Sequence, residues 1–143
     1  MDAFTLSIAF QDCPVLQARL LALWEVNPYG ELLLIATEHL KAGCENKSPQ
    51  HLRSASYIIY ALEAISHQEE LSPNRHILSE RFKRSYFMLS KSRIYSKIHP
   101  TLYSYQFLFH QVARENLSFK DEQNALKFAM ASYSLGRAIL ELR

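Results

Sequence analysis

Five prolines divide this chain of 143 residues into segments. Proline lacks a backbone N–H and is best tolerated in the first turn of a helix. Each one here follows a residue able to sit at or near an N-cap: Asp12-Cys13-Pro14, Asn27-Pro28, Ser48-Pro49, Ser72-Pro73 and His99-Pro100. Gly43, just after Leu40-Lys41-Ala42, stands where a helix C-cap is expected. Ser118-Phe119-Lys120-Asp121 has the form of a capping box with Asp in place of Glu. These marks predict helices over about 14–26, 28–42, 49–67, 73–98, 100–116 and 119–142. The connections are short, so consecutive helices are expected to pack as antiparallel neighbours. The fold class that follows is all-α: a single-domain bundle or short stack of helical hairpins over residues 13–143, with five to six helices.

Apolar residues recur at helical spacing on these segments, as Leu16, Leu20, Leu23 and Trp24, as Ile58, Leu62 and Ile65, and as Leu126, Met130, Tyr133, Ala138 and Leu142. The fourth segment is apolar on two sides, with Leu78, Phe82 and Leu89 on one and Phe87, Ile94 and Ile98 on another, while Ser85, Ser92 and Ser96 allow close approach. Two stretches break the helical period. Phe4, Leu6, Ile8 and Phe10 alternate with small or polar residues, which reads as an N-terminal strand or arm over residues 1–12. Tyr103, Tyr105, Phe107 and Phe109 alternate likewise, so 101–110 reads either as helix, continuous with Gln111-Val112-Ala113-Arg114-Glu115, or as a strand pairing with Phe4 to Phe10.

Several chemistries lack their residues. With only Gly30, Gly43 and Gly136, no glycine-rich loop can cradle a phosphate chain, and no Gly-x-Ser-x-Gly elbow occurs. The two cysteines, Cys13 and Cys44, have no paired spacing, so neither a disulfide framework nor a zinc motif is read from them, and a reducing cytoplasm is expected. His76 with Glu80, and Glu38 beside His39, are too few for a metal site. No apolar run approaches the roughly 18 residues of a membrane span, and Met1-Asp2-Ala3-Phe4 lacks a basic leader. No enzymatic activity, cofactor, metal or membrane partner is expected.

Charge is distributed unevenly. Residues 81–114 carry seven Lys or Arg, no Asp or Glu, and eight aromatics, whereas 1–80 holds five basic against ten acidic residues. Clustering of that kind can mark a docking surface. Arg81, Arg84, Lys91, Arg93, Tyr95 and Lys97 are therefore the candidate partner-binding residues of a non-enzymatic interaction, adaptor or regulatory module. The partner would be another protein with an acidic surface, or a second copy of the chain. The alternative is nucleic-acid binding, with the cations on phosphates and Tyr86, Tyr95 or Tyr103 stacking on bases.

Two short resemblances accompany these readings. Phe109, Val112, Ala113 and Ala125, with Leu135-Gly136, resemble positions of the tetratricopeptide repeat, which implies helical hairpins and protein binding; no second copy falls 34 residues away. Leu78-Ser79-Glu80-Arg81-Phe82-Lys83 is similar to a run in the helix-turn-helix of AraC-type regulators, which implies DNA binding. The likeness covers six residues, and the turn before it, Glu70-Leu71-Ser72-Pro73-Asn74, is spaced differently.

Overall fold

A computed structural model describes residues 13–66 and 74–143. The strand or arm expected over 1–12 lies outside these residues. Among the described residues six α-helices form: α1 (Cys13–Val26), α2 (Gly30–Glu45), α3 (Pro49–Ser66), α4 (Arg75–Ser92), α5 (Pro100–Ser118) and α6 (Glu122–Glu141), with a 3-10 turn at Arg93–Tyr95 between α4 and α5. The chain is all-α, as its prolines and caps predict.

Local chemistry moves several helix ends from their expected places. Asn27 does not open α2 directly; its Oδ1 accepts from the Tyr29 backbone N–H at 2.9 Å and its Nδ2 donates to Ser66 Oγ at 2.8 Å, so helix begins only at Gly30. Gly43 is not a C-cap. It is buried inside α2, which runs on to Glu45 with Asn46 as its C-cap, and the left-handed residue after the helix is Lys47, with φ 52°. The final helix is capped by Asp121, not Ser118: Asp121 Oδ1 accepts from the Asn124 backbone N–H at 3.2 Å, and Lys120, at φ 63°, makes the turn. Ser118 ends α5 instead. Likewise Asn74 caps α4 by accepting from the Ile77 N–H at 2.8 Å. The α-helical part of the fourth segment stops at Ser92, six residues earlier than expected, where the serine hydroxyl turns back to the Met88 carbonyl at 2.9 Å.

The ambiguous segment 101–110 is helix. Leu102, Gln106, Phe109, His110 and Ala113 are all buried, the spacing of one helical face, and that face outweighs the two-residue alternation of the rings. Phe109 sits at the centre of the core, edge-on to Tyr29 (5.1 Å between centroids) and Phe128 (5.6 Å), while Phe107 points outward. The main core joins Leu16, Leu20 and Leu23 of α1, Leu32, Leu33 and Leu40 of α2, Ile58, Ile59 and Leu62 of α3, Leu102 and Phe109 of α5, and Leu135 and Ile139 of α6. Trp24, assigned by spacing to the inner face of α1, is 42% exposed.

Helix α6 organises the second half of the molecule, since α3, α5 and α4 each pack along it. Its buried side chains are mostly small, among them Ala125, Ala129, Ala131, Ser132, Ser134, Gly136 and Ala138, which lets three neighbours approach closely. The buried hydroxyls find acceptors across the interfaces: Ser132 Oγ donates to the Gln106 carbonyl at 2.8 Å, Ser134 Oγ to the Tyr57 carbonyl at 2.7 Å, and Ser54 Oγ to the Ala138 carbonyl at 3.1 Å. Arg53 on α3 donates to Glu141 on α6 at 2.8 Å, and Arg19 on α1 binds Glu63 on α3. Cys13 and Cys44, which their spacing leaves unpaired, are joined as a disulfide that ties the start of α1 to the end of α2.

Three histidines from distant parts of the chain meet beside α2. The His39 and His51 rings lie 5.2 Å apart, and Ser48 Oγ shares a hydrogen bond of 2.7 Å with His51 Nδ1. Burial, then the neighbouring His51 and His99, push His39 down to about 4. His99 is lowered too, by burial, against a raising hydrogen bond to the Leu142 backbone. A histidine whose pKa falls on folding binds its proton more readily when unfolded, so its contribution is present above about pH 6.5 and is lost as pH falls towards 4. With allowance for partial solvation, stability is expected to drop by about 1–2 kcal/mol between pH 7 and 4.5 from His39. Urea unfolding at both pH values tests this: His39→Gln should flatten the difference, and an unchanged pH dependence in that variant would contradict it.

Candidate functional site

Helices α4 and α5 both lie on α6 but touch each other little, and the space between them is an open groove of about 970 Å³. Helix α4 lends Phe82, Lys83, Arg84, Tyr86 and Phe87, and α5 lends His110, Arg114, Leu117 and Ser118. Positions 110, 114 and 117 share one face of α5, and 82, 83, 86 and 87 one side of α4, so helical spacing alone brings both sets to the groove. Tyr86 and Phe87 are 67% and 58% exposed, a poor use of aromatic surface in a helix with a core of its own to cover.

The floor is fixed by a buried polar pair. Ser85 Oγ and His110 Nδ1 share a hydrogen bond of 2.8 Å, and the His110 ring is flanked by Phe82 (6.1 Å) and Tyr86 (6.2 Å). Burial, and then Arg114, lower the His110 pKa, so the imidazole is neutral at pH 7. The groove thus has apolar and neutral walls under a rim of Lys83, Arg84 and Arg114, and among the described residues no carboxylate lines it. Below it, Leu78, Ala125 and Leu126 make a second small core, with Phe82 and Met130 packed against it, that anchors α4 to α6.

The six candidate residues from sequence do not share one surface. Arg84 lines the groove, and Lys91 lies two turns further along α4 with its Nζ 4.8 Å from the centre of the Phe87 ring. Arg81 is half-buried on α4. Arg93 and Tyr95 fall in the 3-10 turn, where Tyr95 packs against the main core, and Lys97 follows in the turn before α5. Among the described residues the ion pairs are Arg19–Glu63 and Arg53–Glu141, and neither engages a cation of the 81–114 stretch. The candidate set from sequence omits Lys83, Arg114, Phe82 and Phe87, all inside the stretch it singled out, and offers Tyr86 only as a base-stacking residue; Leu117 and Ser118 lie beyond that stretch. The signal available was the spacing of His110, Arg114 and Leu117, legible once 101–110 is taken as helix.

The AraC-like run Leu78–Lys83 lies within one uninterrupted helix, with Leu78 buried against α6. Among the described residues no group of three or more His, Cys, Asp or Glu is placed to hold a metal ion, and no helix is long and apolar enough to cross a membrane. No protein-family model, curated protein or solved structure matches the chain.

Proposed function

We propose that this chain is a protein-interaction module whose α4–α5 groove receives an amphipathic helix with an acidic flank from a partner protein. The observation that carries the reading is the combination of aromatic walls (Phe82, Tyr86, Phe87) with a rim whose charged members among the described residues are all cationic (Lys83, Arg84, Arg114). Helix-in-groove recognition uses apolar anchors one and two turns apart, and the groove's length along both helices suits two such anchors. Charged rims contribute orientation and rate more than affinity, while desolvated aromatics contribute affinity. The role is non-enzymatic. A cytoplasmic setting, expected from cysteine usage, loses that support because the cysteines are joined and disulfides persist mainly in oxidising compartments; the groove chemistry is the same in either.

The test uses a synthetic amphipathic peptide with Leu and Phe at helical spacing and Glu elsewhere, its charge-reversed Lys counterpart, and a short DNA duplex, all followed by fluorescence anisotropy. The acidic peptide is expected to bind at micromolar concentration and the basic one not at all. Arg84→Glu combined with Arg114→Glu should weaken binding by at least about tenfold while leaving the unfolding free energy in urea within about 0.5 kcal/mol of the parent, as for exposed charges. Equal affinity for both peptides would overturn the reading. Tighter binding of the duplex, weakening steeply with salt, would replace it with the nucleic-acid alternative.

A further inference from the structure

A second cavity opens where α4 crosses the end of α6, and its chemistry differs from the groove's. It is about 350 Å³ and is lined by Arg84, Lys91, Arg137 and Arg143, with Glu141 as the one acidic side chain among the described residues, over apolar Phe87, Met88 and Leu140. Glu141 is already engaged, since Arg53 donates to it at 2.8 Å. The cations therefore exceed what the cavity itself neutralises.

Arg137 is the distinctive member. It is partly buried, and its guanidinium's partners are both neutral: one terminal nitrogen donates to Tyr57 Oη at 3.1 Å, the other to Tyr133 Oη at 3.3 Å, and Cζ lies 5.2 Å from the centre of the Tyr57 ring. Two hydroxyls and an aromatic face hold the fork in place without a counter-charge, although partly desolvated cations are ordinarily paired. A guanidinium has five N–H donors, of which two are committed here, and its planar fork suits the oxygens of a phosphate. Lys91, its Nζ 4.8 Å from the centre of the Phe87 ring, adds an ammonium from α4.

We propose that this cavity is an oxyanion site for a phosphate monoester, with Arg137 as the fixed fork and Lys91 and Arg84 as its closing cations. Tyr57 and Tyr133 are positioning residues. The site stands independently of helix docking, because it needs no apolar partner. Arg84 and Phe87 line both cavities, so a phosphorylated side chain on a docked helix reaches it directly; a free small phosphate is the other source of the same chemistry.

Titration of 15N-labelled protein with phenyl phosphate at constant ionic strength tests the site, with sodium chloride as the control. Amides around Tyr133, Arg137 and Lys91 are expected to shift saturably with a Kd near or below 1 mM. Lys91→Gln should raise that Kd at least about fivefold. Arg137→Lys, which keeps the charge and loses the fork, should raise it by tenfold or more. Tyr133→Phe should weaken binding with no loss of charge, which a merely structural hydroxyl would not do. A phosphoserine peptide binding at least ten times tighter than phenyl phosphate identifies a modified side chain as the source, and equal affinities identify a free phosphate. The proposal is overturned if no saturable shift appears up to 10 mM phenyl phosphate, if chloride gives the same shifts, or if Lys91→Gln and Arg137→Lys both bind as the parent does. The groove test uses unphosphorylated peptides, so either reading can fail alone.

Discussion

Gly43→Ala is expected to destabilise the protein by about 2–3 kcal/mol, the range of forced overpacking in a close contact. In an exposed helix the same change would gain up to about 1 kcal/mol, because alanine is the better helix former. The sign reverses here because a Cβ at Gly43 would lie 2.8 Å from the backbone N and 2.9 Å from the Cα of Leu52, and main-chain atoms of α3 cannot rotate aside. The α2–α3 pair would have to separate. Gly136 makes the informative contrast: a Cβ there would collide with Met88 Cγ and come within 2.6 Å of Gln106 Nε2, both of them side-chain atoms. Gly136→Ala should therefore be partly rescued by Met88→Ala, whereas Leu52→Ala should not rescue Gly43→Ala. Urea midpoints of the four variants decide the matter, and a Gly43→Ala protein as stable as the parent would show that α2 and α3 are not held this close.

Reduction of the Cys13–Cys44 disulfide is expected to cost more, about 3–4 kcal/mol, the loop-entropy value for a cross-link of this span. The two residues are 31 apart in sequence, so the bond closes a loop containing all of α1 and most of α2. Helix α1 gives the reason the link matters: it is apolar nearly all round, yet Leu21 is 67% exposed, and the helix buries only Leu16, Leu20 and Leu23. Unfolding with and without a thiol reductant, against Cys13→Ser with Cys44→Ser, reads the effect directly. The double variant should unfold at the reduced protein's midpoint and ignore the reductant. A loss below about 1 kcal/mol would mean that packing alone holds α1. Peptide binding should be unaffected in either state, since the bond lies on α1 and α2 and the groove on α4 and α5.

Much of the fold was legible because proline and cap chemistry act within a few residues. Pro49 and Pro100 open helices where expected. The errors came where a side chain had a tertiary use. Gly43 looks like a stop signal, but its missing Cβ serves a neighbouring helix; Asn27 looks like a cap, but its amide is spent partly on Ser66. The alternation at 103–109 suggested a strand because ring spacing is a local pattern, whereas the buried face Leu102–Gln106–Phe109–Ala113 includes a glutamine that no hydrophobic pattern would count. Gln106 is fully buried, with its Oε1 accepting from Ser92 at 2.7 Å. The basic stretch was visible as composition, and His99-Pro100 divided it between two helices, but that the two face each other across a groove depends on how both lie on α6, which spacing does not carry. The cysteine pairing depends on how α1 lies beside α2, and spacing carries no trace of it.

Helix α6 is the platform for α3, α4 and α5, and it is the last of the six to leave the ribosome. The contacts among the first three helices can form once Ser66 emerges, but α3, α4 and α5 are all made before the surface that receives them. During synthesis their aromatic faces are briefly without shelter, which places the hazard of premature association in that interval rather than at the start of translation.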